Sequence, residues 1–187
     1  MMGMNDLALR EMNIVLIGFM GVGKTTIGKA VAKKLYRDFL DIDEEIEKEF
    51  QMPTTKIFQE IGEKQFRKKE KETIINLCTN QRLKVISLGG GAFLQEEIRN
   101  LCLSNCIVFF LDLSWESWKD RVSMIIDSRP VLQGKNSEEM KDLFDERQPI
   151  YEDHHSKVLT DNLDVDEVAS FIVDSLKTAW DIYEPNH

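Results

Sequence analysis

The chain has 187 residues, 42% hydrophobic and 30% charged, which suffices to bury the core of one ordinary domain and does not match a disordered composition. Its formal net charge of −9, with no Lys/Arg run longer than Arg67-Lys68-Lys69, argues against a nucleic-acid-binding role. No stretch approaches the roughly 20 apolar residues of a membrane span, and residues 1–13 carry Asp6 and Glu11 where a signal peptide needs an apolar segment.

The three cysteines, Cys78, Cys102 and Cys106, are an odd number and form no disulfide framework. They read as buried apolar thiols in a reducing, cytoplasmic setting. Cys102 and Cys106 lack a second cysteine pair that would suggest a metal site.

Short apolar runs alternate with helical patterns along the chain. Residues 13–17 form an apolar run stopped by Gly18, as in a strand buried on both faces. A helical pattern follows Lys24 through Ile27, Ala30, Val31 and Leu35. Residues 39–43 read as a second strand ending in acidic residues, and residues 44–50 as a helix interrupted by Pro53. Thr54 is placed to cap a short helix carrying Ile57, Phe58 and Ile61, with Gly62 as its stop. A longer polar helix covers residues 63–79.

Two further β-rich runs, 85–88 and 106–111, end in Gly89-Gly90-Gly91 and Asp112 respectively. Ser137 begins a helix bearing Met140, Leu143 and Phe144, and a last strand falls at residues 157–160. Asp164-Val165-Asp166-Glu167 has the spacing of a capping box. It opens a terminal helix whose Val168, Phe171, Ile172, Leu176, Ala179 and Trp180 fall on one face. His154-His155 reads as a solvent-facing pair. With no repeat or linker, the pattern predicts one α/β domain over residues 1–187, a parallel sheet covered on both sides.

The segment Gly18-Phe19-Met20-Gly21-Val22-Gly23-Lys24-Thr25 meets the pattern G-x-x-x-x-G-K-[ST] in full. The glycines let successive backbone N–H groups converge on phosphate oxygens, and the following helix directs its positive end at the anion. Lys24 neutralises the β- and γ-phosphates, and Thr25 offers a hydroxyl to Mg²⁺. Gly21, Val22, Gly23, Lys24, Thr25 and Thr26 are therefore the predicted ATP cradle. The guanine-reading Asn-Lys-x-Asp of switch GTPases is absent.

Asp41-Ile42-Asp43 lies at a strand end, where ligands of open α/β sheets gather. Residues two apart on a strand face the same side, so both carboxylates are expected to point at the cradle. One would hold water on Mg²⁺ and the other would take a proton from, or hydrogen-bond to, an acceptor hydroxyl.

From about residue 14 to 151 the chain resembles the shikimate kinases. The resemblance rests on the P-loop, Asp41-Ile42-Asp43, Met52 through Phe66-Arg67, and Gly89-Gly90-Gly91, followed in order by Arg121, Arg129-Pro130-Val131-Leu132 and Glu146-Arg147-Gln148-Pro149-Ile150-Tyr151. It implies a three-layer P-loop fold like that of nucleoside-monophosphate kinases, with a central parallel five-stranded sheet and a mobile lid over about 127–138. It implies ATP-dependent phosphorylation of the 3-hydroxyl of shikimate, in chorismate and aromatic amino-acid biosynthesis. Mg²⁺ would be the cofactor; a monomer is the default expectation, and the charge and hydropathy point to neither nucleic acid nor membrane as partner.

By the same resemblance Asp41, with Thr25, would associate with the metal, and Ser87 would stand close behind it. Asp43 would bind the acceptor hydroxyls and act as base. Arg67 and Arg147 would grip the shikimate carboxylate, and Gly89, Gly90 and Gly91 would let the backbone approach the ring. Arg129, in the lid, would stabilise the transferring phosphoryl group together with Lys24, and Arg121 would lie along the adenine. Val22 stands where the family often has Ser or Ala, and Asp161-Asn162-Leu163-Asp164 lacks the basic residue often found in the family's adenine-side loop. Another P-loop small-molecule kinase, of gluconate or nucleoside-monophosphate type, or a non-catalytic nucleotide-binding module, remain the alternatives.

Overall fold

In a computed structural model of the chain, residues 8–183 are described. Strand β1 (Asn13–Ile17) is buried at all five positions, which requires cover on both faces of the sheet. It lies at the centre of a five-stranded sheet of order β2-β3-β1-β4-β5, with β2 Asp38–Asp41, β3 Lys84–Ser87, β4 Cys106–Asp112 and β5 Ser156–Leu159. All pairings are parallel, with Ile14 opposite Val85 on one side and Ile107 on the other. Because the strands run the same way, their carboxyl ends share one edge, and the connection leaving β1 runs to β2 on one side while that leaving β3 runs to β4 on the other, which opens a crevice there.

Helices α1 (Lys24–Leu35) and α9 (Val165–Tyr183) pack together, and α1 also packs on β2 and β3. A second group is built from α2 (Ile42–Phe50), α3 (Thr54–Glu60), α4 (Glu63–Asn80) and α5 (Glu96–Asn105), with α5 lying on β4. The short α6 (Trp115–Lys119) and α7 (Val122–Ile125) lead through two 3-10 turns to α8 (Ser137–Tyr151). The capping box expected before α9 forms: Glu167 N donates to Asp164 Oδ1 and Asp164 N to Glu167 Oε2, each at 2.8 Å. All three cysteines are buried and free. No helix among the described residues is long and apolar enough to cross a membrane.

Several sequence expectations need correction. The second strand ends at Asp41, because the Asp41 side chain accepts the Glu44 N–H at 3.2 Å and starts α2 at once. Pro53, not Thr54, is the residue before α3; the Thr54 N–H and hydroxyl both donate to Glu47 Oε1 instead, at 2.8 and 2.7 Å. Phe171 does not share the buried face of α9 and is 52% exposed. Of the histidine pair, His155 is exposed as expected, whereas His154 is half-buried. His154 Nδ1 lies 2.7 Å from the Tyr151 carbonyl and its ring 5.6 Å from Phe110. His155 Nδ1 accepts the Val108 N–H at 2.9 Å, tying the end of α8 to β4. Helices α5, α6 and α7 were not anticipated. Residues 1–7, including Asp6, and residues 184–187 lie outside the described residues.

At the other edge of the sheet, buried Asn13 acts as a clasp: its Nδ2 donates to the Gln81 carbonyl at 2.9 Å and its Oδ1 accepts the Lys84 N–H at 2.9 Å. Asn13→Ala leaves both backbone groups without these partners and is expected to destabilise the fold by about 1–3 kcal/mol. The thermal midpoint should fall by about 2–4 °C per kcal/mol, with nucleotide affinity unchanged because the clasp is remote from the crevice. Calorimetry beside a nucleotide titration checks both halves.

Candidate active site

The loop between β1 and α1 depends on glycine at two places. Gly21 and Gly23 have φ of 79° and 100°, a region that side chains enter only with strain. A Cβ at Gly21 would also collide with Ile125 Cδ1, so α7 packs directly onto the loop. The loop and the start of α1 border a cavity of about 220 Å³, completed by Asp41 and Asp43, Ser87, Gly89 and Gly90, and Arg129.

Lys24 extends back under the loop, where its Nζ donates to the carbonyls of Gly18 at 2.7 Å and Phe19 at 2.9 Å. Burial pulls its ammonium down to about 7; the Arg129 and Arg147 charges add to the fall, while Asp43 and Asp41 oppose it. Beside it, Thr25 Oγ1 donates to Asp41 Oδ2 at 2.5 Å. Asp41 is paired in register with the buried Ser87. A carboxylate and two hydroxyls are hard oxygen donors that fit Mg²⁺. Among the described residues no group of three His, Cys, Asp or Glu side chains is arranged to hold a metal.

Asp43 lies in the first turn of α2 rather than on β2, so the strand-alternation argument does not hold for it. Both carboxylates nevertheless border the same cavity. Burial and then Asp41 raise the Asp43 carboxyl above its ordinary range, against the pull of Arg129, Lys24 and Arg67. Arg129 Nη1 reaches Asp43 Oδ2 at 3.2 Å.

A second, smaller cavity of about 40 Å³ adjoins the first and shares Met20, Asp43, Gly89, Gly90 and Arg129 with it. Its own walls include Phe58, Arg67, Gly91 and Arg147. The glycine triplet permits three close approaches at once. A Cβ would lie 2.8 Å from Asp43 Oδ1 at Gly89, 3.1 Å from Met20 N at Gly90 and 2.5 Å from Arg67 Nη2 at Gly91. Arg147 is 7% exposed, and its Nη1, like Arg129 Nε, is buried with no hydrogen-bond partner among the described residues. Unsatisfied buried guanidinium donors are costly unless an anion meets them.

Arg121 lies apart from these groups. It borders a third cavity of about 350 Å³ with Val22, Thr26, Ile125, Leu163 and Val168, continuous with the P-loop through Gly21 and Gly23. The structure therefore gathers Lys24, Thr25, Asp41, Asp43, Arg67, Ser87, the glycine triplet, Arg129 and Arg147 around two adjoining cavities, and leaves Arg121 at the far side of the loop.

Other neighbours escaped the sequence reading. Glu70, fully buried, binds Arg67 Nη1 through Oε1 at 2.9 Å and accepts Gln95 Nε2 at 2.9 Å. Burial drives its carboxyl up to about 7, with Arg67 and Gln95 opposing and Asp43 adding to the rise. Its spacing of three from Arg67 on a helix was a usable signal. Tyr151 Oη donates to the Gly90 carbonyl at 2.5 Å, and Trp118 Nε1 donates to the Met20 carbonyl at 2.6 Å. These contacts span 61 and 98 residues of sequence and leave no local trace.

The shikimate kinase family model matches residues 20–177. The chain belongs to the shikimate kinase family. It is 65% identical over 182 residues to the shikimate kinase of Oceanobacillus iheyensis, covering 97% of this chain and 99% of the relative. Identity to the Bacillus subtilis shikimate kinase is 61% over 177 residues, with 95% of each covered. Among solved structures, the Acinetobacter baumannii shikimate kinase in complex with shikimate superposes with a TM-score of 0.84 at 33% identity, over 90% of this chain and 94% of that one. The Aquifex aeolicus enzyme gives a TM-score of 0.76 at 35% identity, over 90% and 98%. The expected three-layer P-loop kinase fold and family are thus both found.

Lys24 yields a test of the cradle. With its free ammonium at about 7, the side chain is mostly neutral at pH about 8, and a bound polyphosphate raises its pKa and draws a proton in. ADP binding near pH 8 should take up to about one proton in excess of that at pH about 6, where Lys24 is already charged. Titration calorimetry in buffers of different ionisation enthalpy measures the difference, and Lys24→Met should abolish it.

Proposed function

We propose that the chain transfers the γ-phosphoryl group of ATP to the 3-hydroxyl of shikimate, giving ADP and shikimate 3-phosphate. The observation that carries this reading is the junction of the two cavities. On one side stand the P-loop and Lys24; on the other, Arg67 and Arg147 face inward; the largely buried carboxylate of Asp43 stands between them. A phosphate donor, a hydroxyl acceptor and an acceptor carboxylate each have a matching group. The relatives named as shikimate kinases support the same assignment.

In this reading the P-loop amides and Lys24 hold the β- and γ-phosphates, and Arg121 borders the pocket for the nucleoside. Mg²⁺, held through Thr25 and Asp41 when bound, neutralises charge on those phosphates. Arg67 and Arg147 clamp the shikimate carboxylate through their planar guanidinium forks. That orients the ring so its hydroxyl reaches Asp43. Asp43 accepts the hydroxyl proton as the new O–P bond forms and the bond from phosphorus to the ADP oxygen breaks. A raised carboxyl pKa suits the task, because it makes Asp43 a better proton acceptor than an ordinary surface aspartate.

Residues 127–138 form the lid in this proposal, running from just after α7 into the first turn of α8. The segment is built from tight turns, carries Gly134 at φ 76°, and is pinned by the fully buried Leu132. It places Arg129 over the junction, where the guanidinium releases Asp43 as substrate enters and turns to the transferring phosphoryl group. Closure would expel water and so suppress ATP hydrolysis. Monomeric action in the cytoplasm, without nucleic acid or membrane, belongs to the same proposal. The three free thiols and the net charge of −9 support it.

Purified protein with ATP and Mg²⁺ should release ADP only when shikimate is present; equal release with gluconate or a nucleoside monophosphate would sink the assignment. Arg147→Met is expected to raise the shikimate KM by about 100-fold, the worth of a bidentate charged pair, while leaving ADP affinity unchanged. Asp43→Asn should lower kcat by about 10²–10⁴-fold, the usual contribution of a general base, with ATP still bound. Steady-state kinetics beside ADP titration separates the two effects.

A further inference from the structure

The wall of the third cavity is set by two segments that approach from different parts of the chain. One is the loop after β5, which supplies Thr160, Leu163 and Asp164; the other is the segment from α6 into α7, which supplies Arg121, Met124 and Ile125. The loop is anchored at both ends. Thr160 N and Oγ1 donate to the Asp112 carbonyl at 2.9 and 3.2 Å, and Asp164 belongs to the capping box of α9. The opposite segment is fixed at its far end, where Trp118 Nε1 holds the Met20 carbonyl and Arg121 N donates to the Trp118 carbonyl at 2.8 Å.

Asp161 joins the two. Its Oδ2 accepts the Ser114 N–H at 3.0 Å, and its Oδ1 accepts both the Ser114 hydroxyl at 2.5 Å and the Ser117 hydroxyl at 2.6 Å. These are charge-assisted bonds to one carboxylate, spanning 44 to 47 residues of sequence. Ser114 is the residue before α6, and its hydroxyl also accepts the Ser117 N–H. Asp161 therefore reaches past the cap of its own helix to grip the start of another one. It lines neither the phosphate cavity nor the acceptor cavity.

We propose that Asp161 is a positioning residue for the nucleotide: its carboxylate latches the loop after β5 to the start of α6 and so sets the separation of the two walls of the base pocket. The proposal rests on the reading that this cavity takes the nucleoside end of ATP. Without a basic side chain in residues 161–164, the loop must recognise the base by shape and apolar contact through Leu163. Such contact depends steeply on wall spacing. The latch is half-exposed and Ser114 exposed, so it contributes little to global stability. Its effect should appear in binding rather than in melting.

Asp161→Ala is expected to raise the ATP KM and the ADP Kd by the same factor, about five- to tenfold, the worth of one ordinary net hydrogen bond. The shikimate KM, the melting temperature and the Kd for inorganic tripolyphosphate should stay at parent values, since tripolyphosphate uses only the cradle. Ser114→Ala with Ser117→Ala keeps the Ser114 N–H bond to Asp161 and should give a smaller rise, and adding Asp161→Ala should bring the triple variant only to the Asp161→Ala value. An unchanged ADP Kd in Asp161→Ala, or an equal loss of tripolyphosphate binding, overturns the latch. Leu163→Glu tests the pocket itself. If Leu163→Glu weakens ADP while Asp161→Ala does not, the pocket reading stands and the latch fails. If neither weakens ADP, the pocket reading fails and takes the latch with it.

Discussion

Burial of like charges is the constraint around which the active site is arranged. Lys24, Arg129 and Arg147 are drawn into one crevice, and the penalty is visible on Lys24, whose ammonium falls to about 7 under burial and the two guanidinium charges. Asp43 shows the opposite response, raised by burial and by Asp41 although three cations surround it. A folded chain does not gain stability from such a cluster. It is held in place by the apolar sheet beneath, where Ile14, Val15 and Leu16 of β1 are fully buried between neighbours on both sides. Polyphosphate and carboxylate are the partners that relieve the strain, which is why the cluster belongs to binding rather than to folding.

Close approach is the second requirement, and glycine provides it on both sides of the junction. Gly21 lets Ile125 descend onto the phosphate loop, and Gly89 and Gly91 let Asp43 and Arg67 crowd against the chain after β3. The triplet thus positions the functional side chains as well as leaving room beside them. Tyr151 then pins the Gly90 carbonyl from α8, one turn beyond Arg147 on the same helix. Burial lifts the Tyr151 phenol to about 12, so it remains a donor across the working pH range. Glu70 performs the matching service for Arg67, one turn along α4.

What could be read from the sequence was what local pattern encodes. The P-loop announces itself because its glycines, Lys24 and Thr25 are contiguous, and the capping box of α9 because Asp164 and Glu167 are three apart. The five strands were legible as apolar runs, each within a residue or two of its end. Asp43 was assigned to the right cavity by the wrong route: its neighbour Asp41 caps a helix, and that competition between side chain and strand ladder is invisible to a period-two pattern. Helices α6 and α7 were missed because four or five residues carry too little periodicity. The contacts of Trp118 with Met20 and of Asp161 with Ser114 arise only once the chain has folded back on itself. The arginine positions came through resemblance, since a single arginine has no pattern of its own.

The ion pair between Arg129 and Asp43 links these observations. Both side chains border the phosphate cavity and the acceptor cavity. Any ligand that draws Arg129 away from Asp43 frees the carboxylate for an acceptor hydroxyl. An acceptor that engages Asp43 likewise frees the guanidinium for phosphate. Each substrate therefore relieves part of the reorganisation that the other would face alone, which is the thermodynamic content of synergistic binding, and the coupling must be equal in both directions. Under the proposed roles water would be a poor substitute in this exchange, because it brings neither the polyphosphate charge that would attract Arg129 nor the carboxylate that would engage Arg67 and Arg147. On the proposed reaction, discrimination against hydrolysis and preference for an anionic acceptor would then follow from one pair of side chains 3.2 Å apart.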